Sequence, residues 1–584
     1  LKALKILLYL VLGLVVLVVA AVAIFAMTFD PNRYKDDIQR IVKERTGRTL
    51  ELKGPLELAF WPSLGAKVAG VVLSEHAAPQ PFVSLESAHA SVALLPLLRG
   101  RVTVDRIRLS GLRAQIVKDK EGRFNFQDLI EQAGEKPAAK AEKKAPDSGR
   151  GAVAFDIAGV TIERAALAYL DLASGQEIAL NDLKLETGRI AENAEGKLDF
   201  ATALKRNTPP LDARLALNGR YALKPESVAL DFTGKLDESS IKGKAAMARA
   251  KVAAYEFDLN IDKLNLDRYL ASSEKKQEKK DEPAKPATKD KEADAPVDLS
   301  GLKGLNAKGR VEIGALQVQG LKLAAVKTEI RAADGRAEVG PHSANLYEGS
   351  LSGSLMLDGN ANRVAVKETL SNIAVGPLLR DFAQQDRLDG KGNVTLDVNA
   401  AGKSVNAMKS ALAGTAKVNL KDGAIKGVDI GAIITKARSA LGSQQAQAAD
   451  GKERTDFSEL NATFAIKNGV AHNDDLDVKA PLFRVSGAGD IDVAKSTINY
   501  VVKAAVVATA TGQGGKERDD LAGLTVPVKL SGPLDAMKYE VDYRAVAGDL
   551  AKSKVGGQAK EAIEKNRDKV EDKVRDRLKG LIGR

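Results

Sequence analysis

Apolar and polar residues alternate with period two through most of this chain. Val394, Leu396 and Val398 alternate with Asn393, Thr395 and Asp397. Leu211, Ala213, Leu215 and Leu217 do so with Asp212, Arg214 and Asn218, and Phe257, Leu259 and Ile261 with Asp258, Asn260 and Asp262. Val228, Leu230 and Phe232, then Val526, Val528 and Leu530, then Tyr539, Val541 and Tyr543 repeat the pattern. One apolar and one wet face per segment is the signature of antiparallel strands covered on one side. An apolar residue, one residue and a glycine recur at Gly111, Gly219, Gly234, Gly359, Gly487 and Gly532, and are read as turns. Asn260–Leu270 and Asn372–Phe382 form a weak internal repeat, each running from a strand into a short helix with an arginine and an aromatic.

Four segments depart from this pattern. Ile6 to Phe29 is a run of 24 uncharged, mostly aliphatic residues preceded by Lys2 and Lys5. As a helix it extends about 36 Å, enough for a hydrocarbon core of ~30 Å, and the lysines leave the N-terminus cytoplasmic. The alternative is a cleaved signal peptide with Ala21-Val22-Ala23 as a small-x-small site. The run exceeds the ~7 to 15 residues of a signal core, which favours an uncleaved anchor. Asp30 and Pro31 then predict a helix start and Gly47 its end, with Tyr34, Ile38, Ile41 and Val42 as the stripe that packs on the chain downstream.

Residues 135–150 and 273–298 are rich in Lys, Glu, Ala and Pro without an apolar face, and read as charged disordered linkers. The chain thus divides into a flank and anchor (1–29), a helix plus β region (30–134), a linker (135–150), a middle β region (151–272), a linker (273–298), a C-terminal β region (299–547) and a basic amphipathic helix (548–584). In that helix Ile563, Val570, Val574, Leu578 and Leu581 keep a 3.6-residue stripe. It suits either an anionic membrane surface or a solvated helix laced with pairs such as Glu561 and Lys565.

Composition narrows the chemistry. The 584 residues include no cysteine, which excludes disulfides, cysteine zinc sites and iron–sulfur clusters. The four histidines, His76, His89, His342 and His472, are scattered without metal-ligand spacing. Gly349–Gly353 places Leu351 where a hydrolase nucleophile would stand, and Gly402-Lys403-Ser404 has Asp397 where a phosphate loop needs glycine. The neighbours in Asp474–Asp475 and Asp519–Asp520 fall on opposite strand faces or in loops, so neither pair is expected to supply the convergent carboxylates of acid–base catalysis. No enzyme activity and no cofactor is expected. The formal charge is +11, but residues 552–584 hold eleven basic against six acidic residues, a surplus of five, and Lys2 and Lys5 hold two more. With few aromatics (14 Phe, 10 Tyr, 1 Trp) a nucleic-acid partner is not expected.

Further segments stand out in order along the chain: Phe29 to Tyr34 (FDPNRY) directly after the apolar block, Thr46 to Gly54 (TGRTLELKG), Trp61 to Gly65 (WPSLG) and Leu94 to Val102 (LLPLLRGRV). Ser343 to Ser350 (SANLYEGS), Leu420 to Asp429 (LKDGAIKGVD) and Phe457 to Asp477 (FSELNATFAIKNGVAHNDDLD) follow. Together, in this order, they resemble the AsmA family of Gram-negative bacteria. The resemblance implies a mainly β fold: an elongated, curled antiparallel β-sheet forming a groove, with short helices, an N-terminal transmembrane helix and a C-terminal amphipathic helix. It further implies an inner-membrane-anchored periplasmic protein of the bridge-like lipid-transfer group, supporting outer-membrane biogenesis. Phospholipids or other envelope lipids are the expected partners. Their acyl chains would lie on the aliphatic face, with Leu215, Leu217, Leu230, Phe257, Leu259, Ile261, Val394, Leu396, Val398, Val526 and Val528 as groove candidates. Alternation by itself favours the other reading, in which that face packs against a second sheet or a helix as an ordinary core. The alternative function is a non-enzymatic periplasmic scaffold that acts on outer-membrane protein assembly through protein contacts. At ~12 to 15 residues per strand and turn, about 400 residues give ~27 to 33 strands.

Overall fold

The computed structural model describes residues 30–59, 63–93, 103–129, 156–208, 210–250, 252–270, 296–427, 454–481, 483–507, 525–534, 537–542 and 545. The anchor residues Lys2, Lys5, Ile6 and Phe29, the first charged stretch, most of the second and the helix carrying Ile563, Val570, Val574, Leu578 and Leu581 lie outside them. The described chain is mainly β, with 27 strands and a few short helices. No helix among the described residues is long and apolar enough to cross a membrane. Two units divide between Glu282 and Pro283, inside the second charged stretch.

The first unit opens with a 3₁₀ turn, Pro31–Tyr34, capped where Asp30 Oδ1 accepts from the Asn32 N–H at 2.9 Å. Helix α1 (Lys35–Thr46) comes next and ends on Gly47 with φ 67°, a left-handed conformation that favours glycine. The strands are β1 (Leu50–Leu52), β2 (Leu56–Ala59), β3 (Ser63–Ser74), β4 (Pro81–Ala93), β5 (Thr103–Ser110), β6 (Arg113–Lys118) and β7 (Asp156–Asp171). β8 (Glu177–Thr187), β9 (Ile190–Ala191), β10 (Glu195–Arg206), β11 (Leu211–Lys224), β12 (Ser227–Leu236), β13 (Ser239–Ala248) and β14 (Ala254–Asn265) continue to helix α2 (Asp267–Leu270). From β10 to β14 each strand pairs antiparallel with the next.

The antiparallel expectation fails at one junction: β5 and β6 both run parallel to β7. A parallel pair needs a crossover of a dozen or more residues. The segment between Lys118 and Asp156, which contains the first charged stretch, supplies that length.

The α1 expectation is also corrected. Its sheet-facing side is Lys35, Gln39, Val42 and Thr46, spaced i, i+4, i+7 and i+11. Lys35 Nζ donates to the Gly54 carbonyl at 2.7 Å, and the Leu52 N–H donates to Gln39 Oε1 at 3.0 Å. Just upstream, Asn32 exchanges two hydrogen bonds with the Leu56 backbone. Side-chain amides thus satisfy backbone groups of β1 and β2, and an ammonium the Gly54 carbonyl between them, while Tyr34, Ile38 and Ile41 remain exposed at 50%, 39% and 47%. The sheet edge needed hydrogen bonds more than hydrocarbon.

The second unit has a uniform plan. Strands β15 (Asn306–Val318), β16 (Leu321–Ala333), β17 (Arg336–Leu346), β18 (Gly349–Asp358) and β19 (Arg363–Ala374) lead to helix α3 (Val375–Ala383) and β20 (Leu388–Ala401). Helix α4 (Val405–Ser410) precedes β21 (Ala413–Lys426), β22 (Arg454–Lys467), β23 (Val470–Lys479), β24 (Phe483–Asp492), β25 (Thr497–Val506), β26 (Thr525–Pro533) and β27 (Lys538–Val541). Each pairs antiparallel with the next. Asp334-Gly335 and Asn468-Gly469 join hairpins with positive φ at both central residues, the turn that matches strand twist. The end of the second charged stretch is held in place: Pro296 bridges to Ser404 and the Val297 N–H donates to the Lys403 carbonyl at 2.9 Å. Gly402-Lys403-Ser404 is a helix start, with Ser404 Oγ accepting from the Ala407 N–H at 3.2 Å.

Not all the expected turn glycines are turns. Gly111 and Gly359 end strands, but Gly219, Gly234, Gly487 and Gly532 lie within β11, β12, β24 and β26. A β-carbon at Gly219 would lie 2.5 Å from the Asp231 carbonyl oxygen, and one at Gly487 2.7 Å from the Tyr500 ring. These glycines make room across the ladder, a role that depends on the neighbouring strand.

Candidate functional site

The apolar face of the second unit joins both groups of groove candidates. Register places Val394 between Leu370 and Val418, Leu396 between Glu368 and Ala416, and Val398 between Val366 and Gly414. Val526 lies opposite Ala504 and Val528 opposite Val502. One cross-strand row then runs Val526, Ala504, Val485, Val478, Leu460, Leu420 and Gly392, so the face is continuous from β26 back to β20.

This face is partly a covered core. Leu420, Val478 and Val526 are at most 2% exposed, and Leu378 and Leu379 of α3 pack against the same cluster. Toward β26 it opens into a cavity of ≈ 280 Å³. Leu460, Val478, Val485, Val502, Val526 and Val528 help line it, and of its fifteen lining residues only Thr455 and Tyr500 carry a polar side-chain atom. The Tyr500 hydroxyl donates to Asn473, which is 1% exposed and donates in turn to the Thr463 carbonyl at 2.9 Å. Burial first, and Asp475 and Asp474 second, push the Tyr500 hydroxyl up to about 12. Such a cavity sits near the lower end of the ~300–1,000 Å³ of small-molecule sites, room for one hydrocarbon segment.

One polar pair interrupts the face. His342 and Glu368 lie in one row across Gly353, their side chains 16% and 17% exposed, with His342 Nε2 3.0 Å from the Glu368 carboxylate. His342 Nδ1 lies 3.2 Å from the Val339 carbonyl oxygen, which occupies the second ring nitrogen. Leucines and valines flank the pair: Leu351 and Leu370 on one side, Leu355 and Val366 on the other.

The six groove candidates of the first unit also share a face. Leu217 and Ile261 stand in one row through Gly234 and Ile241, Leu259 in the next with Gly243 and Phe232, and Leu230 and Phe257 in a third through Ala245. Leu215 adjoins on the far side of Leu217, opposite Leu236. All six are half-buried. A hollow of ≈ 1180 Å³ in this unit lies on the opposite, charged face. Its lining includes Lys197, Arg220, Asp231, Lys244 and Asp258 in one row and Asp199, Asn218, Thr233, Lys242 and Asn260 in the next. Alternation assigns residues to faces; which face is concave depends on twist, which it does not encode.

No group of acidic, histidine or cysteine residues that could hold a metal occurs among the described residues. His472 Nδ1 lies 2.8 Å from Asp490, and His76 Nδ1 is 3.3 Å from Asp128. The Asp474–Asp475 pair sits at the β22–β23 irregularity, where Asp475 Oδ1 accepts from the Thr463 N–H at 2.7 Å and from Asn473 Nδ2 at 2.6 Å. These bonds hold the Asp475 carboxyl below its usual range. Asp519 and Asp520 lie outside the described residues.

Arg48 is a fastening that periodicity does not reveal. Its side chain is fully buried, donating to Asp128 at 2.6 and 2.8 Å, to the Ser74 carbonyl at 3.0 Å and to the Asn125 carbonyl at 2.6 Å, with its guanidinium 4.7 Å from the Phe82 ring centroid. It ties the 124–129 turn to the first strands. Its only sequence signal is its place in the Thr46 to Gly54 motif.

The fold and these faces define a class: mainly antiparallel sheet proteins whose strands set an aliphatic face opposite a charged one. The chain belongs to the AsmA family, whose profile matches residues 1–255 and 212–476. It is also 21% identical to Protein AsmA of Escherichia coli (strain K12) over 95% of this chain and 96% of that protein. Family membership and the large β fold are consistent with a function related to the cell envelope and the outer membrane.

Proposed function

We propose that this is an inner-membrane-anchored periplasmic protein that binds lipid and transfers phospholipid-like molecules between the inner and outer membranes. The block Ile6 to Phe29 anchors it, and acyl chains lie on the aliphatic face of the second unit. The observation that carries this reading is the hydrocarbon-lined cavity at β21–β26, continuous with the row that reaches β20. Burying a methylene contributes ~0.8 kcal/mol, so eight give about 6 kcal/mol before the cost of immobilising the chain. No convergent polar group is needed for this. The headgroup stays in water, which suits a carrier that must also release its load.

Photo-crosslinking in native membranes tests it. A photoreactive residue at Val502 or Val528 is expected to form lipid adducts, while one at Lys529, on the other face of β26, is not. Absence of lipid adducts at both apolar positions, with a stoichiometric protein adduct in their place, would replace the lipid reading with the scaffold reading.

A further inference from the structure

Helix α1 carries two different faces. Taking Lys35 as the origin at 100° per residue, Lys35, Gln39, Val42 and Thr46 cluster about the direction of the sheet. Tyr34, Ile38, Ile41 and Arg45 lie about 90° away, and Arg33, Asp37, Arg40 and Glu44 point opposite the sheet. The first group carries the bonds between Lys35 and the Gly54 carbonyl and between Gln39 and the Leu52 N–H; the second leaves Ile38 39% and Ile41 47% exposed. Isoleucines are poor choices for a water-facing stripe, and this one starts at Tyr34, five residues after the 24-residue uncharged block ends at Phe29.

We propose that the Ile38–Ile41 face of α1 lies in the headgroup region of the lipid bilayer, so that the helix acts as an interfacial foot for the first unit. This rests on the anchor reading of Ile6 to Phe29. From Tyr34 to Ile41 the helix advances about 10 Å, whereas one leaflet's interfacial zone is roughly 5–8 Å deep, so α1 lies close to the membrane plane. Arg45 closes the stripe in line with the isoleucines, where a long basic side chain reaches lipid phosphates while its stem stays on hydrocarbon. The foot fixes the rotation of the β1–β2 edge about the anchor, because Lys35, Gln39 and Asn32 join helix and edge.

The chain has no cysteine, so single substitutions give unique labelling sites. Full-length Ile38→Cys, Ile41→Cys, Asp37→Cys and Glu44→Cys proteins are spin-labelled and reconstituted in vesicles of phosphatidylethanolamine and phosphatidylglycerol. At positions 38 and 41 the label is expected to be severalfold more accessible to oxygen than to a water-soluble nickel chelate, with the order reversed at 37 and 44. Chelate access at 38 and 41 equal to that at 37 and 44 overturns the proposal while leaving the anchor intact. Low access to both reagents also overturns it, because protein then covers the face. Failure of the full chain to float with the vesicles removes the anchor and the foot together.

Discussion

The Tyr269 hydroxyl donates to Asp237 Oδ2 at 2.7 Å, binding the short helix α2 to the turn between β12 and β13. The second unit makes the same bond with the partners exchanged. There Tyr347, in the turn between β17 and β18, donates to Asp381 of α3 at 2.8 Å. Burial first and the facing carboxylate second push both hydroxyls up to about 12. The weak repeat between Asn260–Leu270 and Asn372–Phe382 is therefore a repeated device, a strand-terminal helix latched to a hairpin turn. Tyr269→Phe and Tyr347→Phe should each cost about 1–2 kcal/mol, since a hydrogen bond to a charged acceptor is lost at a partly buried site. Urea unfolding measures this, and a change below a few tenths would deny the latch.

Alkali should act through the same hydroxyls. Tyr269, Tyr347 and Tyr500 titrate higher when folded, at about 12, than the ordinary tyrosine value of 10.0. Folding favours their protonated forms, so their contribution is complete below about pH 10 and declines as pH rises from there to about 12. The part of the tyrosinate absorbance that disappears when Tyr269, Tyr347 and Tyr500 are replaced by Phe should develop in the wild type together with the change in circular dichroism, in that window. Ionisation of that part well before loss of structure would refute the assignment.

Arg48→Met leaves the half-buried Asp128, in the 124–129 turn, without its main partner. The cost should be about 3 kcal/mol, the low end for a buried pair, because Asp128 keeps some contact with water. Hydrogen exchange should rise at Asn125 to Leu129 and at Ser74, where Arg48 donates. The Asp128 carboxyl is held low, chiefly by its hydrogen bonds from Arg48. Its stabilising part is present above the normal carboxylate range and lost as pH falls through the depressed value. The wild type should therefore lose protection in this turn on acidification, and Arg48→Met should show a flatter acid profile.

Glycine substitutions separate room from flexibility. A β-carbon at Gly243 would lie 2.9 Å from Phe232 Cζ and 2.7 Å from Leu259 Cδ2, whereas nothing lies within 4 Å of one at Gly301. Gly243→Ala should destabilise by about 1–3 kcal/mol through overpacking, and Gly301→Ala should be neutral or slightly stabilising. Thermal unfolding of the two proteins decides the matter, and equal shifts would contradict it.

The polar interruption of the aliphatic face can be tested by replacement. His342→Leu or Glu368→Leu alone strands a half-buried partner, whereas both together restore an apolar row flanked by Leu351, Leu370, Leu355 and Val366. The double substitution should therefore be at least as stable as the better single one, with a coupling of about 0.5–3 kcal/mol in the double-mutant cycle. Additive losses would show that the two side chains do not act as a pair.

Alternation makes much of the sheet legible, because period two is a local property. Val394, Leu396 and Val398 share a face in the sequence and in the ladder. The pattern breaks in β23, where Asn473 and Leu476 reach the same side across an irregularity that changes the parity of the strand. Gly234 and Gly487 look like turn residues in the sequence, but their function is set by Leu217 and Tyr500 on neighbouring strands. The α1 stripe has the spacing of a core-facing one, yet the adjacent edge required donors and acceptors, and polar side chains took that place. Several family-like segments hold fastenings: Arg48 in Thr46 to Gly54, Tyr347 in Ser343 to Ser350, and Asn473 in Phe457 to Asp477. Which stretch of the aliphatic face is covered by α3 and which is open depends on tertiary packing alone.

The parallel placement of β5 and β6 beside β7 bears on how the first unit assembles. From β10 to β14 each hairpin closes on its neighbour, so ordering can spread by short-range contacts. The β6–β7 pair instead waits for 37 intervening residues to close, joining Arg113 to Ala166 and Lys118 to Asp171. Loop closure of that length costs more entropy than any hairpin in the meander and yields non-local contacts, the slow kind in sheet formation. The rate of refolding should accordingly be set at this junction, and shortening the charged stretch should speed it while leaving the meander's own kinetics untouched.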